Sequence, residues 1–329
     1  QQCGLDLGPA DQLLPPQADN PEGFWEHPAF VALNDDILKA AGGSWNVPPT
    51  GPVADDALEP LRARAATLPA QISLTEPWGW KDPRTSLTLS FWTGVFPGLR
   101  VVVCVRNPLE VAQSLHDRDG FTYRTGLQLW RAYHEALAQS IPAKRRVVTH
   151  YDAYFVDAAS ELQRVRDALD LPADDGRLGT ALATVAPRHK HARISNEDLA
   201  SLPLPPGVAN LYRSLCVEAG PVAERGLRTA GDALAPRFFA QMLRVEDRFD
   251  DQADRIRTLE RQLAERDAKI GHLEQYTTEM RHHLDMQHEQ LTERCRRVLD
   301  LEARLRARRH RYADQLADTL KRARRPFAK

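Results

Sequence analysis

Little in this sequence points to metal or disulfide chemistry. The four cysteines, Cys3, Cys104, Cys216 and Cys295, are scattered, with no C-x-x-C pair among them. Neither a zinc site nor a disulfide framework is expected from such usage, and no metal is called for. Unpaired cysteines fit a reducing compartment, so a cytoplasmic location is the expectation. No apolar run approaches the length of about 20 residues that a membrane-spanning helix needs. A formal net charge of −1 provides no global field to draw nucleic acid or a membrane surface. The chain also lacks a G-x-x-x-x-G-K-[ST] loop, which argues against a P-loop kinase.

What is present is unevenly spread. A hydrophobic content of 42% over 329 residues can build a sizeable core, but the last eighty or so residues are mostly polar and charged. A globular part followed by an elongated one is the simplest reading. Turn residues punctuate positions 1–24, where Leu5-Asp-Leu-Gly8 reads as the tail of a helix. A helix is predicted over Pro28–Ala41, with Phe30, Leu33, Ile37 and Leu38 on one stripe and Gly42-Gly43 ending it. A second follows over about Ala54–Thr67. Trp78–Lys81 reads as a brief strand stopped by Pro83, and Thr85–Phe96 as a helix.

Arg100-Val-Val-Val-Cys-Val105 is the clearest strand, a continuous apolar run of the kind buried on both faces. Asn107 can cap the next helix, Pro108 suits its first position and Glu110 its third. Helices are predicted over Thr125–Ser140 and Ser160–Leu169, with a strand at Arg146–Tyr151 between them. Residues 172–235 carry little pattern, and Pro203, Pro205 and Pro206 mark a loop. Strand and helix in alternation imply an α/β fold with a parallel sheet flanked by helices. In such sheets ligands bind beyond the carboxyl ends of the strands, and Lys81 and Arg106 both occupy that kind of position. The domain expectation is a partial α/β domain over 1–240 and a coiled coil over 245–325.

The coiled coil rests on seven-residue spacing. Phe249, Ile256, Leu263, Ile270, Thr277, Leu284, Leu291, Val298, Leu305 and Tyr312 form one row, with a single polar member. The second row mixes Leu259, Leu273, Met280 and Leu301 with Gln252, Arg266, Gln287, Arg294 and Arg308. Such spacing predicts a coiled coil with weak or register-specific layers, and so a homo-oligomer or a partner helix. The arginines near the end alternate with acids and read as a solvated helix face.

Arg106 and Ser114 are the strongest chemical signal. A strand delivers the arginine to the sheet edge, and the serine lies two turns into the following helix, so both can face one anion. A forked guanidinium contact to phosphate is worth roughly 1.5–3 kcal/mol. Spacing alone leaves a second reading open, in which Arg106 pairs with a carboxylate and Ser114 is an ordinary helix residue.

Arg106-Asn-Pro with Ser114 at this offset resembles the 3′-phosphate-binding motif of sulfotransferases. Trp80-Lys-Asp-Pro-Arg84 is similar to a segment of the tyrosylprotein and bacterial branches of that family. Val147-Val-Thr-His-Tyr-Asp152 with Leu169-Asp-Leu-Pro172 resembles the strand and helix that close the family's core, and Gly23-Phe-Trp-Glu-His27 resembles the acceptor-side segment of bacterial members. Together these cover residues 13–172. The resemblance implies a P-loop-related α/β fold and transfer of a sulfuryl group from 3′-phosphoadenosine 5′-phosphosulfate, as co-substrate, to a hydroxyl acceptor such as a glycan or small alcohol. It implies that Arg106 and Ser114 hold the 3′-phosphate, that Lys81 stabilises the leaving oxygen, and that Glu26 is the general base with His27 its rival. Arg188, Lys190 and Arg193, in a dense basic stretch, would cover the nucleotide or form a solvated loop. Lys81 has its own alternative, a simple pair with Asp82.

One departure stands out. The family's early strand–loop–helix, which cradles the 5′-phosphosulfate, has no counterpart in residues 1–25. The expectation is that this strand and loop lie upstream of Gln1 and that the piece is not self-sufficient. The alternative is a catalytically inactive sulfotransferase-like remnant acting as a coiled-coil scaffold.

Overall fold

Helix α1, Pro28–Ala40, begins where His27 turns its ring back to cap the chain and Pro28 presets the first turn. Its stripe of Phe30, Leu33, Ile37 and Leu38 is buried as the periodicity predicts, with Asn34 buried among them. α2 (Asp55–Gln71) and α3 (Thr85–Val95) pack against it. Phe30, Leu33, Ile37, Leu58, Ala65, Leu68, Phe91 and Trp92 make this helical core, with Trp78 and Trp80 against its side. Trp80 stacks on Phe30 with ring centroids 4.8 Å apart and lies 4.7 Å from Trp92. The computed structural model describes residues 2–17, 20, 23–51, 55–172, 175–185, 199–221 and 235–323.

A second core surrounds the sheet. β1 (Val101–Val105) pairs in parallel with β2 (Arg146–His150), in register from Val101 with Arg146 to Val105 with His150. Two helices, α4 (Pro108–Asp119) and α5 (Tyr123–Ser140), fill the crossover between them. They touch closely because Gly126 meets Ala112: a Cβ at Gly126 would come within 2.8 Å of the Ala112 Cα. α6 (Tyr154–Ala168), kinked at Asp157, follows β2, and α7 (Asp175–Ala183) packs on α6. α8 (Val208–Ala219) buries Val208, Tyr212, Leu215, Cys216 and Ala219 against β2 and α5.

α9 runs from Ala235 to Ala323. Its first turns belong to the head, where Phe239 and Leu243 enter the sheet core. Glu246 accepts the backbone N–H groups of Tyr123 and Arg124, both at 2.8 Å, at the start of α5. A carboxylate there satisfies helix-end donors and complements the helix dipole. The chain divides into two units, Gln1–Asp250 and Asp251–Lys329. In the second, Ile256, Leu263, Ile270, Leu284, Leu291, Val298 and Leu305 are all exposed.

The protein is thus mostly helical, with a small parallel sheet and a long C-terminal helix. Three expectations are corrected. Trp78–Lys81 does not join the sheet; Trp78 makes a single parallel bridge with Asp6, and the aromatic rings beside it turn to the helical core. Leu5–Gly8 is not a helix tail, because Asp6 accepts from the backbone N–H groups of Gly8 and Thr75, each at 2.8 Å. β1 is not covered on both faces: Val103 and Val105 are buried, whereas Val102 is 41% exposed and Cys104 is exposed. Among the described residues no helix is long and apolar enough to cross a membrane.

Candidate functional site

The open face of β1 forms the floor of a cleft of about 1640 Å³. That exceeds the roughly 300–1,000 Å³ typical of a pocket for one small ligand. Glu26, Lys81, Arg84, Arg106 and Ser114 all line it. Five cations, Lys81, Arg84, Arg100, Arg106 and Arg118, face four carboxylates around its wall.

Arg106 emerges at the carboxyl end of β1, and Asn107 starts the helix after it. The Asn107 Oδ1 accepts from the Leu109 N–H at 3.0 Å, Pro108 occupies the first turn, and α4 closes at Gly120 in the left-handed region. This capping aims the side of α4 bearing Ser114, which is exposed, into the same cleft. The Arg106 Nε donates to Glu110 Oε2 at 3.0 Å, and its guanidinium carbon lies 4.9 Å from the Tyr151 ring centroid. The carboxylate pairing of the second reading is therefore present, with Glu110 as the partner, and Arg106 also lines the cleft with Ser114.

Lys81 and Glu26, 55 residues apart in sequence, meet directly: Lys81 Nζ donates to Glu26 Oε1 at 2.5 Å. The Glu26 side chain is 8% exposed and that of Lys81 51%. The pair with Asp82 does not form, because Asp82 is engaged elsewhere. It accepts from Arg84 Nη1 at 3.1 Å, from the Arg84 backbone N–H at 3.0 Å and from Asn34 Nδ2 at 2.8 Å. Asn34 in turn accepts from Thr88 Oγ1 at 2.6 Å and Trp92 Nε1 at 2.8 Å. The buried asparagine thus ties the Lys81–Arg84 loop to α1 and α3.

Arg84 is a site residue to which the sequence motif assigned no role. It lies 2.9 Å from Asp35 and 3.9 Å from Glu26 as well as on Asp82. Burial alone would lower its pKa, but the carboxylates of Asp82, Asp35 and Glu26 outweigh that and hold it raised. The motif around Lys81 contained it, yet nothing local showed that it would turn toward Glu26. Tyr133, also in the cleft wall, donates to the Trp45 carbonyl at 2.7 Å, and burial pushes its phenol up.

Water reaches Cys104, but protein surrounds the thiol closely enough that burial pushes it up to about 11. The positive charges of Arg106 and Lys81 both act on it in the opposite direction and lose. A raised pKa favours the neutral thiol over the thiolate at Cys104. His27 does not line the cleft. Its Nδ1 accepts from the Ala29 N–H at 3.2 Å, which leaves the proton on Nε2, 3.4 Å from Gln12 Oε1. Burial lowers its pKa, and capping α1 fully accounts for the side chain. Arg188, Lys190 and Arg193 lie outside the described residues.

Among the described residues no group of three or more His, Cys, Asp or Glu is placed to hold a metal. No family model matches the chain, and no curated protein or solved structure matches it.

Proposed function

We propose that the cleft carries sulfuryl transfer from 3′-phosphoadenosine 5′-phosphosulfate to a hydroxyl acceptor. The observation that carries this reading is the Lys81–Glu26 contact at 2.5 Å, in the same cleft as Arg106 and Ser114. Four residues drawn from three separate motifs line one cleft, which supports the reading. Arg106 and Ser114 would bind the 3′-phosphate, with Glu110 holding the guanidinium in place. The acceptor oxygen attacks sulfur, the bond from sulfur to the bridging phosphate oxygen breaks, and adenosine 3′,5′-bisphosphate leaves. Glu26 takes the acceptor's proton, and Lys81 stabilises the charge that develops on the departing oxygen. The Lys81–Glu26 contact sets base and cation side by side, where the reactants would divide the two partners between them.

The remnant reading has one specific support, the same Arg106–Glu110 contact, which a purely structural strand-end arginine would also make. The two are separated by incubating the protein with sulfur-labelled co-substrate and a panel of sugars and small alcohols. Label transfer is expected from the chain extended by the upstream strand and loop that the resemblance calls for, with Glu26→Gln lowering kcat by about 10²–10⁴-fold and leaving affinity for adenosine 3′,5′-bisphosphate near wild type. An unchanged kcat in Glu26→Gln removes the general base from the account. Absence of both transfer and nucleotide binding leaves the scaffold reading.

A further inference from the structure

The helix beyond Asp250 presents an exposed apolar row, and the charges flanking that row specify its partner. With Ile256, Leu263, Ile270, Thr277, Leu284, Leu291, Val298 and Leu305 at the first core position of each heptad, Arg255, Lys269, Arg297 and Arg304 fall at the preceding flank. Glu260, Asp267, Glu274 and Glu302 fall at the following flank. In a parallel, in-register pair of helices, each preceding-flank residue faces the following-flank residue five positions on in the other chain. Arg255 then meets Glu260, Lys269 meets Glu274 and Arg297 meets Glu302, each pair occurring twice by symmetry. Arg266, a polar core residue, sits beside Asp267 of the other copy.

An antiparallel pair would instead face the preceding flanks against each other, where Arg255, Lys269, Arg297 and Arg304 are all cationic. We infer that residues 251–303 form a parallel, in-register homodimeric coiled coil whose occupant is a second copy of this chain. Past that point the pattern reverses sign: Arg304 meets Arg309, and Arg308 in the core also sits beside Arg309. The two helices therefore splay at the arginine-rich end. Glu302 already meets Arg306 of its own helix at 3.3 Å, so the last of the three attractive pairs is shared.

The full chain is tested by sedimentation equilibrium at tens of micromolar. The expected mass is twice 37.0 kDa. Reversing one flank (Glu260→Lys, Glu274→Lys and Glu302→Lys together) should return the chain to the monomer mass with its helical circular dichroism largely kept. Reversing the other flank (Arg255→Glu, Lys269→Glu and Arg297→Glu) should do the same, and an equimolar mixture of the two variants should recover a heterodimer. Orientation is read by Leu273→Cys in a background of Cys3→Ser, Cys104→Ser and Cys295→Ser, which removes the other accessible thiols and should give a covalent dimer on mild oxidation. A monomeric wild-type chain overturns self-pairing and leaves a different partner helix. A dimer that survives both reversals, or that gives no cross-link through the thiol introduced by Leu273→Cys, overturns the parallel register.

Discussion

Replacing Asn34 with alanine should be among the most damaging single changes to the head. Asn34 is fully buried and uses both ends of its amide. It donates to Asp82 at 2.8 Å and Thr85 at 3.2 Å, and it accepts from Thr88 at 2.6 Å and Trp92 at 2.8 Å. Some of these groups keep another partner. Thr85 still accepts from Trp80 Nε1 at 2.9 Å, Thr88 lies 3.4 Å from the Arg84 carbonyl, and Asp82 retains Arg84. The Trp92 indole N–H, at 0% exposure, and one oxygen of Asp82 lose theirs. Leaving a buried polar group unsatisfied costs about 1–3 kcal/mol, so two such groups imply a loss of roughly 2–6 kcal/mol. For a unit of this size 1 kcal/mol moves Tm by about 2–4 °C, and a loss near the middle of the range lowers Tm by roughly 8–16 °C. Urea unfolding followed by tryptophan fluorescence reads the change directly, because Trp78, Trp80 and Trp92 all sit beside the network. The midpoint should fall with the slope m unchanged. A loss under about 1 kcal/mol would show that the network adds nothing beyond packing and would refute the reasoning.

Two further outcomes rest on the same kind of accounting. Gly126→Ala places a methyl against the Ala112 Cα and Cβ, at 2.8 and 2.9 Å, and should destabilise the head by about 1–3 kcal/mol through overpacking; unchanged thermal unfolding would mean that α4 and α5 separate freely. His150 is buried, with Nδ1 accepting from the Asp152 N–H at 3.1 Å and Nε2 3.0 Å from the Tyr212 hydroxyl. Burial lowers its pKa from 6.5 to about 4, against the opposing charge of Glu161. The folded state therefore binds fewer protons than the unfolded one between those values. Stability is full above the unfolded pKa and falls as pH drops toward about 4, by as much as about 3 kcal/mol from this one group. His150→Gln should flatten that part of the stability–pH curve, and an identical acid slope in the variant would exclude His150 as its source.

The helices with clear periodicity and caps were legible in the sequence. α4 is the plainest case: Asn107, Pro108 and Gly120 mark its ends, and all three occupy the positions their chemistry predicts. α8 was equally readable in principle, since Val208, Tyr212, Leu215, Cys216 and Ala219 repeat at helical spacing, yet residues 172–235 suggested no element beyond the proline loop before it. The run Val101–Val105 misled in a different way. Its composition reports burial without saying which face, and one face opens on the cleft. Trp78–Lys81 has strand-like residues, yet aromatic rings with Phe30 and Trp92 nearby gain more by packing on the helical core than by entering the sheet. Of the candidate site, the sequence named Glu26, Lys81, Arg106 and Ser114 singly, and the structure brings them to one cleft in an arrangement it did not foretell. Lys81 has a carboxylate next to it in sequence and pairs with one 55 residues away. Asn34 and Arg84 had already claimed Asp82, and contacts of that range leave no local trace. Arg84 was overlooked for the same reason.

Calorimetric titration of the wild-type protein and Arg106→Ala with adenosine 3′,5′-bisphosphate tests the central claim most directly. The account predicts saturable binding by the wild type, weakened by one to two orders of magnitude in the variant, the equivalent of roughly 1.5–3 kcal/mol for one charge-assisted contact. Equal affinity in the two proteins, or no binding by the wild type, would contradict it.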